Sequence, residues 1–257
     1  MLKRSTAWIA ALACAGALGG ELRAAQAPAA GQAALPKAED VIAKYVTAIG
    51  GAAAYRSIQS IHMKGTLDVP GPGLTGTVEI FSMRPAKSLL RADITGMGQQ
   101  ETGYDGVHGW SLDAVQGPAL IVDKQLQQLQ DDSDFDADLH LPAHVKSMRT
   151  VARAQFDGHD AFQLDVMSVS GDESTEYYDA ATFLGLGTES KRESPMGTLS
   201  VTNFTRDYKK FGKLMMPTTL VERAMGVDQI IHVQSVEFDK VPAATFDPPP
   251  AVKALIK

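Results

Sequence analysis

Ile61-His62-Met63-Lys64-Gly65-Thr66-Leu67-Asp68-Val69 places an apolar or small residue at every odd position and a polar one between. A period of two belongs to a strand with one buried face. Pro70-Gly71-Pro72-Gly73 then turns the chain, and Leu74, Gly76, Val78 and Ile80 share one face of the returning segment 74–83. Two more strand patterns occupy 88–94 and 99–104, and Asp105-Gly106 is a hairpin signal leading into 108–113. After one interruption, strand patterns resume at 148–156, 161–168, 173–179, 184–193, 198–208, 214–224 and 229–239. Turn residues separate them at short intervals, so the pattern predicts one continuous antiparallel sheet rather than βαβ units. Gly65 and Gly76 fall on the expected inner face, where they either leave room for a ligand or mark bulges.

Helical periodicity is confined to two places. Across 38–49, Val41, Ile42, Tyr45, Ala48 and Ile49 fall on one side, Glu39 and Asp40 sit in the first turn, and Gly50-Gly51 supplies the stop. A short helical turn follows at 52–56. Across 122–132, Leu126 and Leu129 recur among Gln, Lys and Asp, predicting an amphipathic helix that interrupts the strands. Pro248–Pro250 is the expected end of the folded part.

The N-terminus has the three parts of a secretory signal. Lys3 and Arg4 precede an apolar run of 13 residues, 6–18, and small residues follow. That run is shorter than the ~20 residues a membrane span needs, and no other stretch qualifies. The expected product is a periplasmic protein whose signal, 1–27, is removed, with a flexible leader at 28–37 and one domain at 38–250. Lipid anchoring through Cys14 is the alternative. Cys14 is the single cysteine of the 257 residues, so neither an intrachain disulfide nor a thiolate zinc cluster is available. Removing 1–27 takes Lys3, Arg4, Arg23 and Glu21 from 24 bases and 30 acids, leaving 21 and 29 and a net charge of −8. An acidic chain without basic runs excludes gripping a nucleic-acid backbone.

Chemical motifs are sparse. The run from Asp131 to Asp138 alternates carboxylates at 132, 134, 136 and 138, but a calcium loop begun at Asp132 lacks its glycine at Ala137 and its closing carboxylate at Ala143. Loose, solvated carboxylates at a helix end are expected there. His140 and His144 have the spacing of two zinc ligands on a helix, but Pro142 stands between them. All six histidines read as surface residues. There is no GxSxG elbow, SxxK, GxGxxG or Walker loop. No catalytic residue, metal ligand or cofactor is assigned.

Two landmarks, in order, carry a family resemblance. The first runs Gly103-Tyr104-Asp105-Gly106-Val107-His108-Gly109-Trp110. The second runs Asp207-Tyr208-Lys209-Lys210-Phe211-Gly212-Lys213-Leu214-Met215-Met216-Pro217. With the helix and Gly50-Gly51 ahead of them, they resemble the lipoprotein-carrier superfamily, the LolA/LolB-like proteins of bacterial envelopes, over residues 38–246. The resemblance implies a mainly β fold, an incompletely closed antiparallel barrel of about eleven strands with helices across its opening, and a cavity for acyl chains. Ile61, Met63, Leu67, Val78 and Ile80 are then expected to face a shared apolar interior, with Trp110 placed there by the resemblance and Val41, Tyr45 and Ile49 capping it. The implied partner is a hydrophobic small molecule or a lipoprotein acyl chain, with an envelope protein as a further partner. Competing functions are a structural or interaction module with a side-chain-filled barrel, and a hydrolase using His140, His144 and the nearby aspartates.

Overall fold

A computed structural model describes residues 34–256. The expected signal, Cys14 and the expected leader up to residue 33 lie outside the described residues.

The alternation read from 61–69 becomes β1 (Ser60–Val69), hairpinned to β2 (Leu74–Met83). The chain continues as a meander through β3 (Lys87–Ile94), β4 (Gly98–Tyr104), β5 (Gly109–Asp113) and β6 (Gly117–Ile121). Helix α3 (Asp123–Ser133) and a 3-10 turn (Ala137–Leu139) then cross to the far edge of the same sheet. From there β7 (Val145–Phe156), β8 (His159–Ser168), β9 (Glu173–Asp179), β10 (Gly185–Ser194) and β11 (Gly197–Arg206) work back inward. A small ribbon, β12 (Lys209–Phe211) and β13 (Leu214–Met216), precedes β14 (Thr219–Ala224) and β15 (Val227–Phe238). β15 pairs with β1 and joins the two meanders. The result is a 13-stranded antiparallel sheet that does not close, its edges being β6 and β7. The sheet has two strands more than the eleven the resemblance implied, and 117–121, where no strand was read, pairs with the expected strand at 109–113.

Two helices ahead of the sheet, α1 (Ala38–Ala48) and α2 (Ala52–Arg56), lie against its inner face. The stripe Val41, Ile42, Tyr45 and Ile49 is 0–5% exposed and packs into one cluster with Ile61, Met63, Leu67, Val78 and Ile80. Gly65 marks a bulge, not ligand space. The register against β15 shifts between Lys64 and Gly65, and a Cβ at Gly65 would overlap the His232 carbonyl oxygen. Gly76 likewise lies against the Asp93 carbonyl.

Trp110 does not join that interior. Cross-strand pairing puts Phe81 beside Leu89, Leu89 beside Gly103, and Gly103 beside Trp110, all on the outer face. There Trp110, fully buried, packs with Val241, Phe246 and Val252 of the C-terminal strap, which runs through a 3-10 turn (Ala243–Phe246) and α4 (Pro250–Lys253). Ordered packing therefore continues past Pro248–Pro250, the expected end. Its indole nitrogen donates to Glu101 Oε1 at 3.2 Å, and its ring covers Gly103 so closely that a Cβ there would overlap it. Gly103→Ala should accordingly cost about 1–3 kcal/mol through overpacking. Urea unfolding reads this directly, and an unchanged midpoint would show that the indole is free to shift.

Candidate functional site

The inner face is divided into two chemistries. Its apolar half lies under α1. Eight of the nine residues expected to form the interior meet there: Val41, Tyr45, Ile49, Ile61, Met63, Leu67, Val78 and Ile80. Reading the sequence missed Tyr55, Leu214 and Met216, which complete the wall. With Tyr45, Ile49 and Ile61 they line a cavity of about 20 Å³, closed at its polar end by Asp138 and Tyr208. That is room for about one water. Alternating Leu214 and Met216 within the second landmark carried the available signal for this wall. Burial pushes the Tyr45 and Tyr55 hydroxyls up, with the Asp138 carboxylate adding to it, so both stay neutral donors. The Tyr55 hydroxyl donates to the Phe135 carbonyl at 2.9 Å. The hold on α1 from the ribbon is a backbone bond, Met215 N–H to Ile49 O at 3.0 Å.

The other half, under α3, is polar. In register across β9, β10, β11, β14 and β15 the inward residues are Glu176, Thr188, Asn203, Glu222 and Gln229. The first four are 1–4% exposed. Buried polar groups of this kind persist when they are partnered, and part of this row is. Glu176 Oε2 accepts from Tyr178 OH at 2.5 Å and pairs with His140 Nε2 at 2.8 Å. Arg192 Nη2 donates to Asp132 Oδ1 of α3 at 2.9 Å. Gln128 of α3 donates to the Lys191 carbonyl at 3.2 Å and accepts from the Glu193 N–H at 2.9 Å, strapping the helix to β10. Glu222 has no hydrogen-bond partner for Oε2, and burial pushes its carboxyl up to about 8, against a smaller opposing pull from Arg192.

Several expectations are corrected here. The acidic run is not loose. Asp132 and Asp138 are 5–6% exposed, Asp134 pairs with His144, and Asp136 accepts from Arg84 Nη1 at 2.6 Å. Arg84 also donates to the Ile58 carbonyl at 2.7 Å and lies over the Phe135 ring, which fixes this segment across the opening. His140 is buried rather than on the surface, and His62 stacks on Phe81 with ring centroids 4.1 Å apart. His140 and His144 contact separate carboxyl groups, Glu176 and Asp134, and form no joint cluster. Among the described residues, no group of His, Cys, Asp and Glu is arranged to hold a metal. Nor is any described helix long and apolar enough to cross a membrane.

None of the protein-family models matches the chain, and no curated protein sequence does. Solved structures do match by shape. A DUF1329 family protein from Desulfovibrio piger is 14% identical, with a TM-score of 0.56 over 81% of this chain and 96% of that one. A LolA superfamily protein from Nitrosomonas europaea is 12% identical, with a TM-score of 0.54 over 83% of this chain and 99% of that one. At these identities the likeness is one of fold. The open, curved antiparallel sheet with helices on its inner face is shared with LolA superfamily proteins, as the resemblance implied.

Proposed function

We propose that this chain is an exported, non-catalytic protein of the periplasm that binds the acyl part of an amphiphile between α1 and the sheet. The observation supporting this most is the apolar cluster that gathers eight of the expected residues, built from an amphipathic helix laid on a curved sheet and ending at a cavity with a polar rim. The shared fold with a LolA superfamily protein agrees with it.

Ligand entry requires α1 to lift, because a cavity of about 20 Å³ does not hold a chain. Uncovering Val41, Ile42, Tyr45 and Ile49 costs about 6–12 kcal/mol at ~1.5–3 kcal/mol each. A buried acyl chain returns about 0.8 kcal/mol per methylene, so a chain of ~14 methylenes offsets roughly 11 kcal/mol. Long chains therefore displace the helix and short ones do not.

That same small cavity supports a second reading, an envelope interaction module whose barrel is permanently filled by its own side chains. Native mass spectrometry on protein taken from its own cell envelope separates the two. The carrier reading expects a mass increment that organic extraction removes. A bare mature chain in every preparation would favour the filled module.

A further inference from the structure

Six hairpin turns at one end of the sheet share a character that the other end lacks. They join β1 to β2, β3 to β4, β5 to β6, β8 to β9, β10 to β11 and β14 to β15, and the antiparallel order places all six along one rim. Each carries an apolar residue: Pro72, Met97, Val115, Val169, Met196 and Met225. Of these, Val115, Val169, Met196 and Met225 are 51–79% exposed. Five of the turns hold no charged residue, and the sixth holds only Asp172, whose Oδ1 pairs with Lys124 Nζ at 2.8 Å. Turns at the opposite end instead carry Arg84, Asp105, Asp157 and Asp207. Exposed apolar residues scattered singly need no account, but a row of them along one rim does.

One pair of turns supplies an internal control. Asp157-Gly158 closes the β7–β8 hairpin and Met225-Gly226 closes β14–β15, each as a two-residue loop. Both residues of each loop have positive φ, 51° and 80° in the first, 51° and 77° in the second. Asn or Asp before Gly suits that geometry, and the turn at the far end has it. At the rim a long apolar side chain takes the same place, so the turn's own stability does not account for Met225.

We propose that this rim docks on the surface of a neutral lipid bilayer, from which the amphiphile is taken or to which it is given; the choice of a bilayer rests on the acyl-binding reading above. Neighbouring turns stand two strands apart, roughly 10 Å, so they make no continuous patch of the kind that forms the core of a protein interface. A fluid membrane surface takes such side chains one at a time. Uncharged turns on an acidic chain, with 30 acids against 24 bases, favour neutral head groups over anionic ones. The rim is also joined to the acyl site. Leu74, Met97 and Val227, half-buried at this same end, pack against the apolar cluster, so apolar packing is continuous from the rim to the residues that α1 covers.

The test is flotation of the intact mature chain with phosphatidylcholine vesicles, run beside binding of a fluorescent fatty acid in solution. The chain should float with the vesicles, and added phosphatidylglycerol should weaken the association at low salt. Met225→Asn should lower vesicle affinity about tenfold, as loss of one inserted apolar side chain does. Its urea midpoint should hold or rise, because Asn suits the turn. Met196→Ser should lower vesicle affinity likewise. Val107→Ser, at an apolar residue 66% exposed at the opposite end, should change nothing. Fatty-acid affinity in solution should be the same in all three variants. Flotation that is absent while the fatty acid still binds, or that survives both rim variants, would overturn the docking alone. Tighter binding to the anionic vesicles would overturn the neutral surface. A concentration-dependent dimer that the rim variants dissolve would assign the rim to a second copy of the chain instead. Absence of both flotation and fatty-acid binding would remove the acyl-binding reading and this inference with it.

Discussion

Removing residues 241–257 should cost about 4–9 kcal/mol of stability, because it strips Val241, Phe246 and Val252 from the outer face at ~1.5–3 kcal/mol each. Phe246 and Val252 are fully buried, and what they cover is equally apolar: Phe81, Leu89 and Trp110. A domain's whole stability is about 5–15 kcal/mol, so the truncated chain is expected to lose most or all of its cooperative transition. In urea, the midpoint should fall by roughly 2 M or the transition should vanish. A milder form is Phe246→Ala, expected to cost about 3–5 kcal/mol. A truncated chain with the midpoint of the full chain would mean that the strap is a passenger and that the Trp110 cluster needs no cover.

The second large effect is electrostatic. Glu222 has its carboxyl pushed from 4.5 up to about 8 by burial. The folded chain therefore holds a proton that the unfolded chain releases above pH 4.5. Native protein binds more protons through that window, so stability falls as pH rises from 4.5 through 8. A shift of this size corresponds to at most about 5 kcal/mol. Glu222→Gln keeps the shape and removes the titration. Wild type and variant should be close in stability at pH 5 and diverge toward pH 8.5, with the variant the more stable. Urea midpoints that run parallel across this range would place the Glu222 carboxyl in contact with solvent or with a cation.

The half of the molecule that obeys simple alternation was legible from residues alone. In β1, and in β2 as far as Ile80, the inner face is apolar or small and the outer face polar, so parity fixed which side chains meet. The stripe on α1 was readable for the same reason. Trp110 was not, because β5 reads Gly109-Trp110-Ser111-Leu112, with its large apolar residues on the outer parity, and what covers them arrives from 130 residues or more downstream. The polar row was hidden differently. Strands β9, β10, β11 and β14 carry polar residues on both faces, as Thr175-Glu176 and Thr202-Asn203 show, so period two has no contrast to detect. Only pairing across four strands brings Glu176, Thr188, Asn203 and Glu222 side by side. The acidic run misled for a related reason: Asp132 and Asp136 look like solvent residues until Arg192 of β10 and Arg84, in the turn after β2, arrive from distant parts of the chain.

Acyl binding beneath α1 requires the helix to yield to a chain long enough to replace what it buries. Titrating the mature chain with saturated fatty acids of increasing length, below their aggregation limits, tests it most directly. An eight-carbon acid, returning about 5 kcal/mol from ~6 methylenes, should not bind measurably. A sixteen-carbon acid should bind with a Kd below about 100 µM, an affinity of ~−5.5 kcal/mol. Affinity that is absent at every length, or equal for short and long chains, would contradict a displaceable helix over an acyl site.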